Sequence, residues 1–283
     1  MTPAAISQQI RTLEDYLGFP VFHRLTRAVE LTVQGSALLP KIREGFECLS
    51  SAVEMSRHVA SNVLRITAPP SFATRWLVPR LPAFMATHPE LELRLASSPD
   101  TVDSSGRSNI HAVPPASLRD TTSEIAIRYG TGDYPGYQVE RLFTPEYLPV
   151  CSPDLLSTEP PLQAPADLGR HRLIHDETIR DEEKQPSWAE WMRAAGVTGV
   201  DVQKGPRYSN AELAVQAALD GQGIALAMRP LMESALAAGR LVIPFSMAVP
   251  SPYSYFMVTH EAVAQRPVIA SFRNWLLNQC NAG

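Results

Sequence analysis

The chain has 283 residues, 45% hydrophobic and 19% charged, which is the composition of a soluble globular protein and a length suited to about two domains. A formal net charge of −4 excludes a bulk basic field, so any contact with nucleic acid or an anionic membrane has to come from a local surface. Cys48, Cys151 and Cys280 are odd in number and far apart, which fits neither a disulfide framework nor zinc-ligand spacing and points to a reducing cytoplasm.

The first predicted element is an amphipathic helix from Thr2 to Leu17. Ile6, Ile10, Leu13 and Leu17 recur at spacings of four, three and four, so they share one face. Thr2 suits the cap, Pro3 the first turn and Gly18 the stop. The opposite face carries Ser7, Gln8, Arg11 and Thr12, groups able to approach base edges and phosphates. Two short β-prone stretches follow, Val21 to Arg24 and Val29 to Thr32, joined by Leu25-Thr26-Arg27-Ala28 as a hairpin with arginines at its tip.

A second helical pattern runs from about Thr32 to Asn62. Leu38, Ile42, Phe46, Leu49 and Val53 form an apolar seam, with Lys41, Arg43, Glu44, Glu47 and Glu54 on other faces, as expected where two such helices pair. Pro40 is expected to bend this helix early without ending it.

Near residues 61–63 the spacing changes to the β-rich VLRITA, and strands alternate with helices from there on. VLRIT leads through PPSFATRW into a helix to His88, and LELRLA and IAIRYG read as strands of a parallel, right-handed α/β sheet. Ser97 to Ser123, rich in Ser, Pro and Asp, reads as a long surface segment. YLPVCS, a helix from Ser187 to Ala195, GPRYS, a helix from Asn210 to Leu219, GIALA and a helix from Pro230 to Ala238 form a second unit. LVIPF, the strand YSYFMV and a helix with Phe272, Trp275 and Leu276 then return to the first. The expected architecture is α/β with two lobes around a cleft, the first from 63–140 and 240–283 and the second from 141–239.

Within that cleft, PPSFAT joins a strand end to a helix start, so Ser71, Phe72 and Thr74 are expected to offer hydroxyls and N–H groups that favour an anion. Arg128 ends IAIRYG and is expected to face the same crevice as Tyr129. Ser209 and Asn210 end GPRYS at the next helix start, where Asn210 also suits a cap, and Tyr253 completes the set. Catalytic signatures are absent: no G-x-S-x-G elbow, no G-x-x-x-x-G-K-S/T loop and no H-E-x-x-H, and Gly221-Gln-Gly223 lacks the third glycine of a dinucleotide fingerprint. Neither an enzyme nor a cofactor or metal is therefore expected. The opening segment has no secretory pattern, and Glu212, Asp220, Gly221, Gly223, Arg229 and Pro230 break the most apolar stretch, so no membrane span is expected.

TPAAISQQIRTLEDYLG followed by VFHRLTRAVELTVQG resembles the recognition helix and wing of LysR-type transcriptional regulators. LRITAPPSFATRWLVPRLPAFMATHPELELRL, IAIRYGTGDYPG, YLPVCSPDLL and AVQAALDGQGIALAM resemble the effector domain of that family, nearest its glycine-cleavage-activator-like branch. The resemblance implies a partial winged helix-turn-helix over residues 1–32, its recognition helix and wing, a dimerising linker helix over 33–62 and a periplasmic-binding-protein-like effector domain over 63–283. By position it places Thr2, Ala4, Ser7, Gln8 and Arg11 in the major groove and Arg24 and Arg27 of the wing on the backbone or minor groove. Its implied partners are promoter DNA, a small-molecule effector and further copies of the chain, as a homodimer or homotetramer. Members carry two more helices before the recognition helix, about 30 residues, so an N-terminally truncated DNA-binding element with poor operator binding is expected. A DNA-binding-defective fragment and a solute-binding receptor of the same bilobal fold are the alternatives.

Overall fold

The computed structural model describes residues 3–24, 29–58, 62–103, 124–157, 159–179 and 187–281. The chain divides into two compact units, Met1–Arg57 and His58–Gly283.

The first unit opens with α1 (Pro3–Leu17). Gly18, at φ +75°, turns the chain out of the helix while its N–H donates to the Glu14 carbonyl at 2.9 Å. The Glu14 side chain then accepts from the Val21 and Phe22 N–H groups at 2.8 and 3.2 Å, which fixes the entry into β1 (Phe22–Arg24). Antiparallel pairing with β2 (Val29–Leu31) sets Phe22 opposite Leu31. Thr32 donates its hydroxyl proton to the Pro20 carbonyl and accepts from the Gly35 N–H, capping α2 (Val33–His58). Gly35 is required there: a Cβ would lie 2.2 Å from the Val21 carbonyl oxygen. Pro40 lies inside α2, and the helix continues past it. Thr2, the hairpin tip 25–28 and residues 59–61 lie outside the described residues.

The second unit holds two five-stranded sheets. The first lobe is built from β3 (Val63–Ala68), a π-helical turn (Phe72–Leu77), α3 (Leu81–Thr87), β4 (Glu92–Ser97), β5 (Ile125–Gly130) and β6 (Tyr137–Phe143). The chain then leaves through β7 (Glu146–Val150), α4 (Pro153–Leu156), β8 (Leu173–Asp176), α5 (Trp188–Ala194), β9 (Arg207–Tyr208), α6 (Ala211–Leu219), β10 (Ile224–Met228), α7 (Arg229–Ala237) and β11 (Val249–Pro250). It returns as β12 (Ser254–His260), α8 (Glu261–Ala264) and α9 (Pro267–Asn281). Sheet order is β4-β3-β5-β12-β6 in the first lobe and β11-β7-β10-β8-β9 in the second.

Several expectations need correction. The sheets are mixed rather than parallel: β12, entering on the return from the second lobe, runs antiparallel to β5 and β6, and β7, entering from the first lobe, runs antiparallel to β10 and β11. The crossings fall between Phe143 and Glu146 and between Pro250 and Ser254, later than the limits 140/141 and 239/240. LVIPF contributes only an isolated bridge between Val242 and Cys151. The start of the supposed long surface segment is anchored, since Thr101 is buried and Val102 bridges to Tyr129; residues 104–123 lie outside the described residues.

The core of the first lobe follows from strand alternation. Ile125, Ile127 and Tyr129 share a face with their partners Met257 and Tyr255, and that face is packed by Phe84, Phe272 and Leu276 from α3 and α9. Phe84 and Phe272 meet edge to face with centroids 5.2 Å apart.

Candidate functional site

A cleft opens where strand ends of both lobes converge. Pro69 to Ser71 after β3, Tyr129 at the end of β5 and Tyr255 come from the first lobe, and Thr178 after β8, Ser209 to Ala211 after β9 and Met228 at the end of β10 from the second. Pro99 and Val102 complete the wall. This is the place the strand-end rule assigns to ligands. Its free volume is about 20 Å³, room for about one water. No Lys, Arg, Asp or Glu side chain lines it among the described residues.

Hydroxyl chemistry organises this cleft. Asn210 caps α6 by accepting from the Leu213 N–H at 3.0 Å, and the Thr178 hydroxyl accepts from the Ala211 N–H at 2.8 Å. Thr178 in turn donates its N–H and hydroxyl to Asp176. Burial pushes the Asp176 carboxyl up to about 6, the Thr178 bonds acting against it.

The Tyr129 hydroxyl lies 2.9 Å from the Tyr147 hydroxyl and 2.5 Å from Ser251 Oγ. Ser251 donates to the Tyr253 carbonyl at 2.6 Å, so its own proton is committed. Tyr129 must therefore donate to Ser251, and Tyr147 to Tyr129. Burial raises the Tyr129 and Tyr147 hydroxyls well above the usual phenol range, which keeps this chain of donors protonated.

Ser71, Tyr129, Ser209 and Asn210 are thus brought together in the cleft. Phe72, Thr74, Arg128 and Tyr253 are not. Phe72 is buried among Trp76, Tyr255 and Phe143 at centroid distances of 4.9, 5.0 and 6.2 Å. Thr74 is exposed on the π-helical turn, and Tyr253 is buried edge-on to Tyr129 at 5.5 Å. Arg128 cannot share a crevice with Tyr129, because successive strand residues point to opposite faces. It is 3% exposed on the other face, bonded to Asp103 at 2.7 Å and stacked 5.0 Å over the Tyr134 ring. Burial opposes its charge, but the Asp103 bond and charge outweigh it and raise its pKa.

Thr178, Ala211, Met228 and Tyr255 line the cleft without having been anticipated. Met228 ends the apolar run IALAM, so the strand-end rule reaches it; Thr178 follows β8, a strand of four residues ending on two polar ones that carries little periodic signal. Tyr147 and Asp176 also border a cavity of about 520 Å³ in the second lobe, lined further by Ile174, Trp188 and Leu226 and by His175, Glu177 and Arg207. Burial pushes the Cys151 and Cys280 thiols up, to about 11 and about 12, which leaves them as unreactive packed groups.

In the first unit, Ser7, Gln8 and Arg11 are exposed on α1. Ile6, on the apolar face, is also 49% exposed, whereas Ile10, Leu13 and Leu17 are half-buried. Ala4 lies in α1 and Arg24 ends β1; Thr2 and Arg27 lie outside the described residues. No helix among the described residues is long and apolar enough to cross a membrane.

Comparison with known proteins agrees with both halves. Residues 1–36 match the bacterial regulatory helix-turn-helix protein, lysR family, and residues 57–281 match the LysR substrate binding domain. The chain is 38% identical over 283 residues to the glycine cleavage system transcriptional activator of Escherichia coli (strain K12), covering 100% of this chain and 86% of that protein. It is 34% identical over 278 residues to the HTH-type transcriptional activator AmpR of Providencia stuartii, covering 98% and 87%. The effector domain of AmpR from Pseudomonas aeruginosa superimposes with a TM-score of 0.60 at 26% identity, over 78% of this chain and 96% of that one. CrgA of Neisseria meningitidis shares the fold, with a TM-score of 0.58 at 20% identity over 99% of this chain and 90% of that one. With a helix-turn-helix match at one end and a bilobal effector-binding domain behind it, the chain belongs to the LysR family of bacterial transcriptional regulators.

Proposed function

We propose that this regulator senses a small polar molecule bearing one anionic group in the cleft between its lobes, and that occupancy alters how a dimer or tetramer of the chain holds promoter DNA in the cytoplasm. The observation that carries the reading is the hydroxyl and amide lining contributed by both lobes: Ser71, Tyr129 and Tyr255 on one side, Thr178, Ser209 and Asn210 on the other. The N-terminus of α6 opens there, and its dipole favours negative charge by about 0.3–1 kcal/mol although the Ala211 and Leu213 N–H groups are already bonded to Thr178 and Asn210. With no cationic side chain in the wall among the described residues, recognition rests on hydrogen bonds, and the cleft has to widen to admit a ligand. The anion is therefore held without Arg128, and the residues that discriminate are hydroxyls.

On the DNA side, Ser7, Gln8 and Arg11 are the groove-reading set, with Arg24 and Arg27 on phosphates. α2 serves assembly, because Ile42 and Phe46 stay exposed on it. A thermal-shift screen of carboxylates, amino acids and other small anions, followed by calorimetry on the hits, tests the effector reading. Ser71→Val and Ser209→Ala should each weaken a hit by about ten-fold, the equivalent of one hydrogen bond lost. Hits whose affinity neither substitution alters would overturn it.

A further inference from the structure

Two ion pairs cross from one lobe to the other next to the cleft. Arg75, on the π-helical turn of the first lobe, places Nε 2.8 Å and Nη2 2.9 Å from the two carboxylate oxygens of Glu212 on α6 of the second. This is the two-pronged arrangement in which an Arg–carboxylate pair is strongest and most directional. The two side chains are only 11% and 25% exposed, so salt screens them incompletely. Arg80 donates from Nη2 to Glu233 on α7 at 2.6 Å. Its guanidinium is pre-set for this, donating from Nη1 to the Trp76 carbonyl at 3.0 Å and lying 4.5 Å over the Trp76 ring.

The positions matter more than the number of bonds. Arg75 stands four residues after Ser71, and Glu212 two residues after Asn210, and both Ser71 and Asn210 line the cleft. The lobes therefore cannot part at the cleft without stretching the Arg75–Glu212 fork. In the closed form the cleft holds about 20 Å³, less than any organic effector needs.

We infer that the Arg75–Glu212 pair, backed by Arg80–Glu233, is a latch that keeps the unliganded lobes closed and sets how readily the cleft admits its effector. The consequence for the effector rests on the cleft reading above; the latch itself does not, and it is tested without ligand. The energy of opening divides between the crossings near residues 144–145 and 251–253, which bend, and the latch, which breaks. Weakening the latch raises the open population, and a ligand that needs the open form then binds with higher apparent affinity.

The test is hydrogen exchange of the full chain without ligand, for Arg75→Gln, Glu212→Gln and the double variant, in low and high NaCl. Each single substitution should speed exchange at Ala73, Ala211 and Leu213, on both sides of the cleft, by about ten-fold. The double variant should match either single, because one interaction is being removed, and added salt should speed exchange in the parent but not in the variants. Exchange in β12 reports global unfolding and should not change. If it does, the charge-swapped Arg75→Glu with Glu212→Arg decides: restored protection at the cleft supports the latch, and unrestored protection overturns it. Unchanged cleft exchange, or an acceleration confined to the substituted lobe, also overturns it. Failure of the effector screen with a working latch would count against the ligand reading alone.

Discussion

Asp176 stands at the end of β8 with its carboxylate bonded by Thr178, near Glu177 and under the hydroxyls of Tyr129, Tyr147 and Tyr255. Its carboxyl titrates near 6 in the folded chain and near 4 when unfolded, so between those values the native state binds more protons. That contribution to stability is complete below about pH 4 and is lost as pH rises through about 6, by at most about 3 kcal/mol. Thermal melts from pH 4.5 to pH 7 should show Asp176→Asn losing less stability over this interval than the parent; parallel curves would contradict the assignment. Arg128 behaves differently. Its removal leaves the Asp103 carboxylate, which also takes the Tyr134 hydroxyl and the Thr131 N–H, without a guanidinium. Because Arg128 Nε and Nη1 have no acceptor among the described residues, the loss should be about 2–3 kcal/mol, below the usual range for a broken buried pair. Arg128→Ala should lower the unfolding midpoint while sparing ligand affinity, and calorimetry on a screened hit separates the two. The sequence places Arg128 correctly at a strand end, but a one-residue difference in parity decides which face it serves, and composition carries no trace of that.

At the scale of elements, caps were the most legible signals. Asn210 accepts from the N–H three residues on and Gly18 ends α1, as their places beside apolar runs imply. Of the seam expected in α2, Phe46 is 68% and Ile42 37% exposed, while the side chains of Leu49 and Val53 lie outside the described residues. Ile42→Glu with Phe46→Glu should shift the sedimentation of the full chain toward a smaller assembly without changing its helical content. An unchanged sedimentation profile would leave the seam without a partner. β6 and β8 were illegible for opposite reasons. β6 is an edge strand of mostly half-buried residues with no clean alternation, and β8 is four residues long. The π-helical turn was expected as ordinary helix, since an extra residue in one turn leaves no mark on apolar spacing.

For the whole molecule, the departure and return of the chain were readable because the strand and helix alternation restarts after each, whereas the crossing points were not, since the extended residues of β6, β7 and β11 look alike in sequence on either side. The return has a consequence for how the protein is made. Among the described residues β12 is the only neighbour of β6 and sits between it and β5, so the first sheet has a gap until residues 254–260 leave the ribosome. By then every strand of the second sheet has already emerged. The inserted lobe is consequently the earlier of the two to be complete during translation, although its first strand is encoded after most of the other lobe. A nascent chain must hold β3 to β6 unfinished, apolar face uncovered by α9, for the time it takes to synthesise more than a hundred further residues, so the first lobe stays open to misassociation longer than the second.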